Sequence, residues 1–122
     1  MKYVAIFALF ALSACQTTGD TAEMSGMQLA TQNDLNAVIG KTLTFNPGES
    51  FVIAANGTMK GNWGGAPLVG TYEMRDGFFC RTLSQGPRGP SPEDCQLLIL
   101  NGSSLDVTRD RGNGGSFSYT VS

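Results

Sequence analysis

Apolar and polar positions follow three different rules along this chain. Residues 3–12 are almost all apolar, with no polar face. Residues 16–31 carry neither a helical nor a strand period. Leu35, Val38 and Ile39 then fall on one side of a short helix, which Thr31 or Asn33 can cap. Asp34 suits its positive first turn and Gly40 ends it.

From Lys41 onward the period becomes two. Thr42-Leu43-Thr44-Phe45 alternates, and Asn46-Pro47-Gly48 turns the chain. Phe51, Ile53 and Ala55 share one face of the next strand, and Asn56-Gly57 is a strong hairpin signal. Met59, Gly61 and Trp63 share a face, as do Leu68, Gly70, Tyr72 and Met74. Arg75-Asp76-Gly77 leads into residues 78–83, whose run of Phe78, Phe79 and Cys80 leaves the facing of Arg81 ambiguous. A long loop is expected over residues 84–94. Residues 95–100 form an apolar strand, and Asn101-Gly102 signals another hairpin. Leu105 and Val107 alternate with polar neighbours and place Arg109 on the same inward parity. After Gly112-Asn113-Gly114-Gly115, Phe117, Tyr119 and Val121 alternate with Ser116, Ser118 and Thr120.

This amounts to about eight short strands with tight connections after one short helix. The expectation is an all-β domain, a small antiparallel up-and-down β-barrel, with a two-sheet β-sandwich as the alternative. The strands are too short and too polar on their outer parity for a membrane-embedded barrel.

The N-terminus has a different logic. Lys2 precedes the apolar run, which is about half the length a bilayer-spanning helix needs. Small residues and a cysteine follow, as in a secretory signal peptide. The ending Leu12-Ser13-Ala14-Cys15 resembles the lipobox of bacterial lipoproteins. That resemblance implies removal of residues 1–14, lipidation of Cys15 and firm anchoring by more than one acyl chain. Gln16, in place of aspartate, implies the outer membrane. Residues 15–31 are read as a flexible tether, spanning roughly 20 Å, and residues 32–122 as the barrel domain.

Composition agrees with an exported domain. Without its leader the chain keeps 108 of 122 residues, enough for one domain. The net charge is −2, and loss of Lys2 makes it −3, so no basic face for nucleic acid is expected. The 16 glycines suit tight turns. Three cysteines less the lipidated one leave Cys80 and Cys95 as a pair. An oxidising periplasm would join them, stabilising the fold by about 3 kcal/mol.

Chemistry is sparse. The chain has no histidine, which removes the commonest general base and metal ligand. No Ser-x-x-Lys arrangement compensates, so no enzymatic activity, metal or cofactor is expected. Glu93-Asp94 in the long loop, and Asp106 with Asp110, read as solvated charges. Asn56-Gly57-Thr58 and Asn101-Gly102-Ser103 fit N-glycosylation acceptors but read as turns. Three residues are candidates for binding. Trp63, the sole tryptophan, precedes a Gly-rich turn, as a plug of the barrel or as the aromatic wall of an apolar pocket. Arg109 lies at the barrel mouth. Arg88 tips the Pro-rich loop, as a protein-contact element or a solvated surface.

The tether, the cysteine pair and the Gly-x-aromatic steps (Gly61-Asn62-Trp63, Gly70-Thr71-Tyr72) resemble small envelope lipoproteins with calycin-like barrels. These include lysozyme-inhibitor lipoproteins and periplasmic inhibitors of secreted metalloproteases. The Ser-Gly-x-x-Tyr signature of the membrane-bound lysozyme inhibitors is absent, and the cysteine placement differs from that of the metalloprotease inhibitors. The expected role is a lipid-anchored, periplasm-facing interaction module, an inhibitor being one form, with an envelope or secreted protein as partner. The alternatives are a structural or stress-related envelope component and a carrier of a small apolar ligand. Mass spectrometry of the mature protein is expected to find an acylated Cys15 at the N-terminus. A product beginning at Met1 would contradict the lipobox reading.

Overall fold

A computed structural model describes residues 26–122. The leader, Cys15 and most of the expected tether lie outside the described residues. Among the described residues, nine strands follow in chain order: β1 (Met27–Gln28), β2 (Thr42–Thr44), β3 (Glu49–Ile53), β4 (Thr58–Trp63), β5 (Ala66–Arg75), β6 (Phe78–Gln85), β7 (Ser91–Asn101), β8 (Ser104–Thr108) and β9 (Ser116–Val121). Two four-residue helical segments accompany them, α1 (Gln32–Leu35) and α2 (Arg109–Gly112).

Strands β2 to β9 are each antiparallel to the next, and β9 returns to pair with β2 through Leu43–Val121 and Thr44–Thr120. The sheet is therefore a closed eight-stranded meander barrel, as the alternation implied, and not a sandwich. Closure leaves no barrel edge to pair with another chain. The short β1 lies outside the ring, pairing with β7 through Met27–Leu100 and Gln28–Ile99.

The folded body begins sooner than the polarity of residues 16–31 suggests. Leu29 is fully buried and its N–H bonds the Leu98 carbonyl. Residues 27–31 thus belong to the folded body, at the end of the stretch assigned to the tether. A single buried leucine in a polar run carries no periodic signal, which is why it reads as linker.

Helix α1 begins as its sequence dictates. Thr31 accepts from the Asp34 N–H while the Asp34 carboxylate accepts from the Thr31 N–H, forming a reciprocal capping box. Leu35 and Val38 are fully buried in the same cluster as the barrel residues Leu43, Ile53 and Tyr72. Two bonds fix this segment to the strand ends, Gly40 N–H to the Ile53 carbonyl and Gln32 Nε2 to the Tyr72 hydroxyl, and that hydroxyl in turn donates to the Ala54 carbonyl. The helix therefore plugs the end of the barrel where β3 meets β4 and β5 meets β6.

Inward positions decide how much room remains. The β3 backbone closes on Gly61, where an added Cβ would lie 2.1 Å from the Ser50 carbonyl oxygen and 2.5 Å from Phe51 Cα. Cys80 and Cys95 face each other across β6 and β7 and are joined by a disulfide. The expected long loop over 84–94 is much shorter. Both strands extend into it, leaving residues 86–90 between Gln85 and Ser91. The disulfide therefore staples a ladder, with Arg81–Asp94 and Leu83–Ser91 between it and the loop. Pro, Ser and Glu in that stretch disguised it as loop, but the ladder is already irregular between Arg81 and Leu83 and tolerates them.

Replacing Leu35 by alanine removes the buried centre of the plug. Urea unfolding is expected to show a loss of about 2–5 kcal/mol. A loss below about 1 kcal/mol, the range of exposed positions, would contradict the plug.

Candidate functional site

The closed end and the open end of the barrel differ. At the open end the inward side chains leave a cavity of about 300 Å³, at the small end of ligand-sized pockets. Its depth is apolar, with Leu43, Ile53, Met59, Phe79, Leu98 and Leu105 contributing to the wall. Towards the mouth the lining changes to Trp63, Tyr119, Arg81, Arg88, Arg109 and Gln96.

One wall of the mouth is aromatic. Phe45 stacks on Trp63 with centroids 6.0 Å apart, and Phe51 meets Tyr119 edge-to-face at 5.1 Å. Phe117 meets Tyr119 at 5.3 Å, also edge-to-face. Such pairs hold rings in fixed orientations. Trp63 is half-buried, a wall of the cavity rather than a plug within it.

The other wall is cationic. Tyr72 pairs with Arg81 and Arg81 with Asp94, so Arg81 takes the inward parity of Phe79 and Leu83. Asp94 is fully engaged elsewhere. One carboxylate oxygen accepts from Gln96 Nε2 at 2.9 Å and Arg109 Nε at 3.0 Å, and the other accepts from the Asp110 N–H at 3.0 Å. That last contact depends on the left-handed backbone of Asp110 and Arg111, with φ of 52° and 54°. Arg81 donates no hydrogen bond to this carboxylate. Its Nη1 is buried and makes no hydrogen bond among the described residues.

Protonation follows from these surroundings. Burial pulls the Arg81 guanidinium below its ordinary value, Asp94 opposes that shift and Arg109 adds to it. An arginine nevertheless stays charged. Burial pushes the Tyr119 hydroxyl up to about 12, and Arg81 and Arg109 offset only part of this. Tyr119 is therefore a neutral phenol at physiological pH. Burial raises Asp94, but the bonds from Gln96, the Asp110 N–H and Arg109 outweigh it, and the carboxyl lies below its ordinary 3.8. Two arginines and one carboxylate leave the site with net positive charge, and Arg88 adds to it.

The structure thus brings Trp63, Arg88 and Arg109 around one cavity, although the sequence placed them in three separate arguments. Arg81 is the residue that alternation alone did not place. The cysteine pair held the missing signal. If Cys80 and Cys95 face each other on one side of the sheet, Arg81 and Asp94 must oppose each other on the other. The carboxylates read as solvated are partly engaged. Glu93 lies in β7 and pairs with Arg75, and Asp106 accepts from Asn101, Ser104 and Ser118. Asn56 occupies a turn, and Asn101 is the last residue of β7 before one. The Asn56 side chain accepts from Thr58, and Asn101 flanks the two-residue connection of β7 and β8. Compared with protein-family models, curated proteins and solved structures, the chain matches none of them.

A folded-state pKa below the unfolded one means that Asp94 stabilises fully above its ordinary value. The contribution is lost as pH falls through the folded value. Asp94→Asn is expected to cost about 1–3 kcal/mol near neutrality. The variant should also lose part of the acid-induced fall in stability, measured by urea unfolding at neutral and acid pH.

Proposed function

We propose that this chain is a binding protein of the bacterial cell envelope, lipid-anchored through Cys15, that holds one small molecule with an apolar body inside its barrel. One observation carries the reading: the interior beside Trp63 is hollow, about 300 Å³. A barrel serving solely as a scaffold gains stability from a filled interior, because each void forfeits packing. Eight strands enclose about enough space for side chains or for one small ligand. Here apolar side chains line the depth and polar ones gather at the entrance, the distribution found in ligand pockets.

The lipobox resemblance supports the placement in the envelope, facing the periplasm. The absence of histidine and of any Ser-x-x-Lys arrangement supports binding rather than catalysis. Contact with a protein partner through Arg88 is the less favoured reading. Its loop is only five residues long and Arg88 contributes to the cavity wall, so its position is explained by the entrance itself.

Trp63 supplies a native reporter because it is the sole tryptophan and lines the cavity. Octanol added to the full chain carrying Cys15→Ser, which bears no acyl group, is expected to change Trp63 fluorescence saturably. Val107→Trp should fill the cavity and abolish octanol binding, read by calorimetry, at a cost of about 1–3 kcal/mol in stability. Octanol binding equally to both proteins, or no binding by octanol and its charged eight-carbon analogues, would overturn the cavity reading.

A further inference from the structure

Arg81 gives the cavity a chemical preference that its apolar lining alone does not. A guanidinium on the inner wall of a barrel is costly unless its donors are paired. The nearest carboxylate, Asp94, has both oxygens committed to Gln96, Arg109 and Asp110. Arg81 Nη1 is left buried and unpartnered among the described residues. Buried unsatisfied donors are rare, and an unpaired one calls for a specific explanation.

The surroundings say what such a partner must be. Arg81 lies between Phe79 towards the plug and Leu83 towards the loop at the open end, with Arg109 and Arg88 also on the wall. No aspartate or glutamate contributes to that wall. A cation would meet three arginines. A neutral apolar molecule would leave the Nη1 donor unanswered. An acceptor with a full negative charge answers it and balances the positive excess.

Resting on the proposed binding role, we infer that the ligand is a small amphiphilic monocarboxylate, its carboxylate on Arg81 Nη1 and its alkyl chain in the apolar depth. Size narrows the class. At roughly 30 Å³ per non-hydrogen atom, the volume of a water in the liquid, 300 Å³ takes about ten such atoms. Octanoate has that size. Its chain reaches towards Leu43, Ile53 and Leu105, and the neutral Tyr119 hydroxyl offers the head a second donor.

The test compares three probes that share one chain and differ in their heads: octanoate, octanol and octylammonium, titrated by Trp63 fluorescence and calorimetry into the full chain carrying Cys15→Ser. Octanoate is expected to bind roughly ten- to a hundredfold tighter than octanol, the factor that one charge-assisted hydrogen bond supplies. Octylammonium is expected to bind weakest. Arg81→Met should bring octanoate to the octanol affinity and leave octanol unchanged. Arg81→Lys should retain part of the preference. Octanol binding as tightly as octanoate to the parent protein would overturn the carboxylate inference while leaving the cavity reading intact. Absence of binding by all three would overturn both. Should Arg81→Met not fold, the three-probe ranking on the parent protein and on Arg81→Lys decides the matter. Arg81→Met that folds and keeps the octanoate preference would also overturn the assignment.

Discussion

Everything in this structure depends on the closure of the sheet, made by two residue pairs between β2 and β9. Pairing Leu43 with Val121 and Thr44 with Thr120 converts an open meander into a ring, and a ring has an interior. Along each strand, alternate side chains must then enter a bounded space. Whatever that space does not fill becomes a cavity, and whatever charge enters it is held away from water. The plug of Leu35 and Val38, the aromatic wall and the arginine wall are consequences of that enclosure.

The two ends were built by different residues and have different physics. At the closed end, fully buried aliphatic side chains and a few hydrogen bonds between α1 and the strand ends leave little unpaired. At the open end, five aromatic rings cluster on one side, and three arginines with a single committed carboxylate face them. Local rules are obeyed almost everywhere else, from the capping box of α1 to the Asp76-Gly77 turn, where both residues take positive φ. The buried donor of Arg81 departs from those rules, and such departures concentrate where function resides.

Strand number, order and the leading helix could be read from the sequence because each depends on nearest-neighbour patterning. Leu43, Phe51, Ile53, Met59, Leu68, Leu105 and Val107 all lie inward as their alternation required. Closure was expected, because a meander barrel must pair its last strand with its first, but its register, Leu43 with Val121 and Thr44 with Thr120, has no local signal. Two further features could not be read from local pattern. The extension of β6 and β7 into a stretch rich in Pro, Ser and Glu depends on the Cys80–Cys95 register. The facing of Arg81 hung on the same register, because Phe78, Phe79 and Cys80 offer apolar residues on both parities. Trp63, Arg88 and Arg109 were identifiable one by one, whereas their shared cavity required the closed ring.

Isotope-filtered NMR of the octanoate complex tests the central claim most directly, because it locates the ligand atom by atom. The account predicts cross-relaxation from the alkyl chain to the methyl groups of Leu43, Ile53 and Leu105, with octanoate-dependent shifts of the Arg81 guanidinium resonances. Cross-relaxation confined to exposed residues such as Met27 or Val52, with the Arg81 signals unmoved, would contradict a binding site in the barrel interior.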